Sequence, residues 1–196
     1  MRICVFCGGL AGHRHDYASA ARHLGEQLTE RGITLVYGGS HLGLMGILAD
    51  TVLAHGGEVT GVIPRSLMRE EVAHPSLSHL HVVEGLSERK HRMIQLADMF
   101  LALPGGLGTL NEMSEVLTLA KLAHVDKPSG LLNTAGYYDD LLAFTRHAAS
   151  EGFLSPSHAE LLIIGDQPAD VLDRLLASAA ITTDNRRPDA GLRRPP

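Results

Sequence analysis

Seven short apolar runs punctuate the chain, and between them lie stretches in which apolar residues recur at helical spacing. The runs are 2–7 (RICVFC), 33–37, 58–63, 79–83, 99–103, 129–132 and 161–164. They are strand-sized and almost unbroken in hydrophobicity, the pattern of strands covered on both faces. The stretches between most of them, 17–31, 43–55, 87–97, 109–122, 137–151 and 168–179, are amphipathic and predict helices.

Strands alternating with helices imply a mainly parallel sheet with helices on both faces. Right-handed crossovers make this a doubly wound, Rossmann-like α/β fold of three layers, α/β/α. A single domain is expected over residues 1–181. The segment 182–196 (TTDNRRPDAGLRRPP) holds three prolines and four arginines among few apolar residues, and is expected to be a disordered tail.

Composition narrows the class. The chain has 196 residues, 44% hydrophobic and 20% charged, which excludes a mostly disordered chain and a coiled coil. No apolar run approaches the ~20 residues a bilayer requires, so no membrane span is expected. The opening residues lack the apolar core and cleavage site of a secretory signal, and the expected location is cytoplasmic. A formal net charge of -5 does not favour nucleic acid as a partner. Cys4 and Cys7 form a C-x-x-C, but on a strand such a pair points to opposite faces, so it reads as core rather than as a redox couple.

Ligands of doubly wound sheets bind beyond the carboxyl ends of the strands, so the strand-to-helix turns carry the functional signal. Those turns are rich in glycine: Gly8-Gly9 after the first strand, Gly38 to Gly46 after the second, and Pro104 to Thr109 after the fifth. The strongest stretch is PGGLGTLNE (104–112). Here a strand end, a glycine turn and a helix start near Gly108 or Thr109 create an anion site, most naturally for phosphate. Glu112 lies three residues beyond Thr109, near the same helical face. The alternative is a T-x-x-E capping box with no chemistry. The stretch is neither a G-x-G-x-x-G fingerprint nor a Walker A loop.

A basic cluster, Glu88-Arg89-Lys90-His91-Arg92, opens the preceding helix. Positive charge there runs against the helix dipole and points weakly to an anionic partner. The long connection 64–78 contains Glu70 and Glu71, which alone say little, and folds over the site in the expected arrangement. The 12 histidines form no recognisable metal motif, and no G-x-S-x-G elbow occurs.

In order, CVFCGG (4–9), LVYGG…GLMG (35–46), GVIPRSLM..E (61–71), ERK..M (88–93), PGGLGT..E (104–112) and DKPSGLLN..GYY (126–138) resemble the Lonely Guy (LOG) family of cytokinin riboside 5'-monophosphate phosphoribohydrolases. The likeness spans roughly residues 1–180, and its most specific part is PGG-x-GT-x-x-E with the upstream Arg-Lys. It implies hydrolysis of the N-glycosidic bond of a purine nucleoside 5'-monophosphate, a cytokinin riboside monophosphate or AMP, to free base and ribose 5-phosphate. On this resemblance Arg89 and Glu112 are catalytic. Glu71, Lys90, Gly105, Gly106, Leu107, Gly108 and Thr109 bind substrate, with Asn111 and Thr118 as weaker matches. No cofactor or metal is implied, and a homodimer is.

The chemistry agrees with the residue types. Glycosidic cleavage passes through an oxocarbenium-like state that a nearby carboxylate stabilises, while orienting or deprotonating the attacking water. Arg89 serves either the departing base or the ribose phosphate. Departures from the family pattern at Leu10, Ser87 and Leu119 leave the base preference open. Two other readings compete: a non-catalytic nucleotide carrier akin to molybdenum-cofactor carriers, and a lysine decarboxylase. The latter needs a pyridoxal phosphate Schiff-base lysine, and none of Lys90, Lys121 and Lys127 sits in a recognisable motif for it.

Overall fold

A computed structural model describes residues 1–68, 72–122, 124–155 and 161–185, with side chains to residue 181. Strands β1 (Arg2–Phe6), β2 (Thr34–Tyr37), β3 (Val59–Pro64), β4 (His79–Val83), β5 (Met99–Ala102), β6 (Ser129–Leu132) and β7 (Leu162–Gly165) form one sheet in the order β4-β3-β2-β1-β5-β6-β7. Every neighbouring pair is parallel. All seven expected strands are present, and so is the doubly wound, three-layer architecture.

The helices are α1 (His15–Glu30), α2 (Gly43–Ala54), α3 (Arg65–Met68), α4 (Leu86–Leu96), α5 (Leu107–Lys121), α6 (Asp139–Ser150) and α7 (Pro168–Asn185). The four-residue α3 is too short to leave a periodic signal, and the sequence pattern does not predict it. Helix α7 reaches Asn185, four residues beyond the expected domain end, so the first part of the supposed tail is helical. Residues 186–196 lie outside the described residues.

Two hydrophobic layers follow from the alternation of side chains along each strand. Ile3, Val5 and Cys7 face α1, α2 and α7, packing with Leu24, Leu48 and Leu172. Cys4 and Phe6 face the other side, with Met93 of α4 and Met113 and Val116 of α5. Cys4 and Cys7 thus lie in different layers, both as buried free thiols, as the strand reading required. Burial pushes both thiols well up from their ordinary pKa, which keeps them protonated.

The chain leaves β1 toward β2 on one side and returns after β4 to place β5 on the other. The carboxyl edges of β1 and β5 therefore flank the topological switch point, where a crevice opens in such sheets.

Candidate active site

The turn after β5 is the one expected to cradle an anion. Gly106 is the N-cap of α5, and Leu107 is its first residue. The helix thus begins one or two residues earlier than expected. Thr109 is the third helical residue rather than the cap, its hydroxyl makes no capping bond, and the T-x-x-E box does not form. The first intrahelical donor is Leu110, bonded to the Gly106 carbonyl at 3.1 Å. The amides of Leu107, Gly108 and Thr109 come before it and lack intrahelical acceptors. A Cβ at Gly105 would lie 2.1 Å from Thr109 Oγ1, so only glycine lets the turn fold this closely on the buried threonine.

Arg89, on the first turn of α4, reaches over the carboxyl ends of β2 and β3. Its Nε donates to the Val62 carbonyl and its Nη2 to the Gly38 carbonyl, each at 3.0 Å. The third nitrogen, Nη1, lies 3.7 Å from Glu112 Oε1, and both side chains are 12% exposed. The two strand-end carbonyls and the carboxylate offset the cost of a cation near a helix start.

Glu112 is held above the ordinary carboxylate range chiefly by burial. Arg89 and Lys90 pull it back down, and Glu115 adds to the rise. Its carboxyl is therefore a stronger base than an exposed glutamate while still ionisable.

Arg89, Glu112, Thr109, Gly106, Gly38 and Gly8 line one cavity of about 210 Å³. A second cavity of about 330 Å³ adjoins it, sharing Gly8, Gly9 and Gly106 and walled by Gly105, Tyr17 and Tyr137. Of the expected site residues, Arg89, Gly106, Gly108, Thr109 and Glu112 meet in the smaller cavity, and Gly105 borders the larger.

Others do not line either. Leu107 is 85% exposed and points outward. Lys90 donates to Asn111 Oδ1 at 2.9 Å and pairs closely with Glu115, so it acts on Glu112 through its charge. Thr118 lies nearly two turns beyond Glu112, its hydroxyl bonded to the Ser114 carbonyl. Glu71 and its neighbour Glu70 lie outside the described residues. Sequence reasoning assigns no role to Met45 and Met93, which line the cavity. Both stand in the quoted GLMG and ERK..M motifs, but an apolar residue carries no chemical flag.

The second glycine turn behaves differently from its expected role. The amides of Leu44 and Met45, at the start of α2, donate to the Gly8 carbonyl at 3.0 and 3.4 Å. Two leading amides of α2 are thus satisfied internally, whereas among the described residues none of Leu107, Gly108 and Thr109 has a main-chain acceptor.

Fold and site together define a doubly wound α/β protein with an open, glycine-lined helix start beside a buried carboxylate–guanidinium pair. Residues 45–175 match the family model described as possible lysine decarboxylase. Cytokinin riboside 5'-monophosphate phosphoribohydrolase LOG1 of Arabidopsis thaliana is 44% identical over 174 residues, covering 89% of this chain and 82% of that protein. The phosphoribohydrolase LOG of Oryza sativa subsp. japonica is 48% identical over 162 residues, covering 83% and 67%. The chain belongs to this family, the Lonely Guy family of the sequence resemblance.

Among solved structures, the molybdenum cofactor binding protein of Rippkaea orientalis aligns with a TM-score of 0.69 at 22% identity, covering 91% of this chain and 96% of that one. At that identity the likeness establishes the fold alone. Among the described residues no lysine lines either cavity, so the family description finds no Schiff-base candidate among them there.

Proposed function

We propose that this protein hydrolyses the N-glycosidic bond of a cytokinin riboside 5'-monophosphate, and of AMP, releasing the free base and ribose 5-phosphate. The observation that carries the reading is the buried Arg89–Glu112 pair one helical turn from the Gly105–Thr109 cradle.

The 5'-phosphate rests on the free amides at the start of α5, where the helix dipole favours an anion. This sets the ribose over Glu112. As the glycosidic bond lengthens, positive charge grows at C1' and the ring oxygen, and the carboxylate stabilises it. The same carboxylate, with its raised pKa, takes a proton from the attacking water. The hydroxyl joins C1', and the base leaves with the bonding pair and takes up a proton by way of solvent, balancing the one that Glu112 took from water and then gives up. Arg89, fixed by two carbonyls, keeps Glu112 oriented and presents its remaining edge to the departing base or the ribose phosphate.

Lys90 and Glu115 tune the carboxylate, and Glu71 contacts the base or ribose hydroxyls. Asn111 and Thr118 line neither cavity and support substrate binding only where a second copy covers their side of α5, as in a homodimer acting in the cytoplasm. Folding as a single domain is part of the same reading. The carrier alternative has only the distant structural likeness behind it, which speaks for fold and not for ligand.

Incubation with AMP and with isopentenyladenosine monophosphate, followed by chromatography, tests the proposal. Free base and ribose 5-phosphate are expected, and tight binding with no product over hours would favour a carrier. Light scattering of the purified chain tests the dimer.

A further inference from the structure

Three successive carbonyls of the cradle turn are each tied down. The Leu103 carbonyl accepts from the Tyr138 hydroxyl at 2.6 Å, the Pro104 carbonyl from the Gly8 amide at 3.0 Å, and the Gly105 carbonyl from the Tyr137 hydroxyl at 2.5 Å. Tyr137 and Tyr138 follow β6, so the turn after one strand is held by side chains that follow the next.

No peptide bond in the described residues is cis. In a trans peptide the N–H points opposite to the C=O. Fixing the Pro104 and Gly105 carbonyls therefore fixes the direction of the Gly105 and Gly106 amides, the pair that leads into α5. Glycine is otherwise the residue least able to hold its peptide planes still.

The tyrosines are themselves braced. Their rings pack edge to face, with centroids 5.0 Å apart, and Tyr137 meets Tyr17 in the same way at 5.6 Å. The Tyr138 amide donates to Asn133 Oδ1 at 2.7 Å, and Asn133 Nδ2 donates to Asp139 at 2.8 Å. Tyr138 is buried, whereas Tyr137 borders the larger cavity and is 41% exposed.

We infer that Tyr137 and Tyr138 are positioning residues for the 5'-phosphate: the Tyr137 hydroxyl fixes the Gly105–Gly106 peptide and so the Gly106 amide, while the Tyr138 hydroxyl fixes the preceding Leu103–Pro104 peptide, which has no N–H of its own and anchors the start of the turn. The inference rests on the proposed placement of the phosphate. It assigns no contact between either hydroxyl and the reacting atoms. The two phenols act by removing freedom from a glycine turn before the ligand arrives.

The test uses the full chain with Tyr137→Phe, Tyr138→Phe and Tyr137→Leu. Ribose 5-phosphate binding is measured by calorimetry, alongside KM and kcat with AMP and the thermal midpoint. Each Phe variant is expected to bind ribose 5-phosphate roughly fivefold to tenfold more weakly, as for a lost hydrogen bond. KM should rise in step, kcat should stay within about twofold, and the midpoint of Tyr137→Phe should fall by no more than about 4 °C.

Wild-type ribose 5-phosphate affinity in Tyr137→Phe overturns the inference, and weakening only in Tyr137→Leu assigns the effect to ring packing and overturns it too. Should Tyr138→Phe fail to fold, Tyr137→Phe decides alone. A wild-type chain that binds ribose 5-phosphate but releases no base overturns the hydrolase reading and leaves the clamp measurable. One that binds no ribose 5-phosphate overturns the clamp.

Discussion

The guanidinium of Arg89 occupies the space that a side chain on Gly38 would need: a Cβ there would lie 1.9 Å from Nη2. Gly38 therefore serves the site by leaving room for an arginine contributed from α4. Its backbone lies outside the left-handed region, so alanine is conformationally tolerated and the cost falls on Arg89 and on Met45, whose sulfur would lie 2.8 Å away.

Gly38→Ala is accordingly expected to keep the fold and lose turnover. Displacing the residue that orients Glu112 should lower kcat/KM on the order of a hundredfold, the scale of removing one preorganised stabilising group. Circular dichroism and steady-state kinetics on the same preparation check it.

The expected rate loss for Glu112→Gln is larger, about a thousandfold, with nucleotide binding retained. Stability should move the other way with pH. The folded-state pKa of Glu112 is raised, so the folded protein holds a proton that the unfolded chain releases near the ordinary value of about 4.3. Glu112 therefore costs the wild type stability as pH climbs from that value through the raised one. The Glu112→Gln variant is neutral at this position and carries no such cost. Across that window its thermal midpoint should gain on that of the wild type as pH rises. A constant difference between the two proteins would contradict this assignment.

The acid limb of the kcat/KM profile should reflect the same carboxyl and fall above the ordinary carboxylate range. Lys90 lowers the pKa of Glu112 and Glu115 raises it. Lys90→Ala should thus move the limb to higher pH and Glu115→Gln to lower pH. Rate profiles of the two variants, measured at low ionic strength, check the opposite signs.

A phosphate held by main-chain amides should dominate recognition. Adenosine is expected to be a poorer substrate than AMP by on the order of a hundredfold or more in kcat/KM, the worth of two hydrogen bonds to a charged group. Equal rates on the two would remove the cradle from the mechanism.

The architecture is legible in the sequence because the inner strands are largely buried and read as apolar runs, while turn chemistry separates them cleanly; the edge strand β4, with Leu80 and Val82 exposed, is the exception. The start of α5 is harder to place. With Gly105, Gly106 and Gly108 in close succession and no capping side chain, no residue marks the boundary, and Thr109 resembles a cap although it is the third helical residue. Arg89 and Glu112 can be named from their motifs, but their approach to 3.7 Å depends on α4 and α5 packing side by side, which no local spacing encodes. Tyr137 and Tyr138 belong to a quoted motif without a role, since their partners are carbonyls more than thirty residues away.

The Gly8 carbonyl, by accepting the first amides of α2, plugs one of the two glycine-lined helix mouths that flank β1. Among the described residues, the leading amides of α5 keep no main-chain acceptor, so the proposed phosphate has one open helix mouth beyond β1 rather than two.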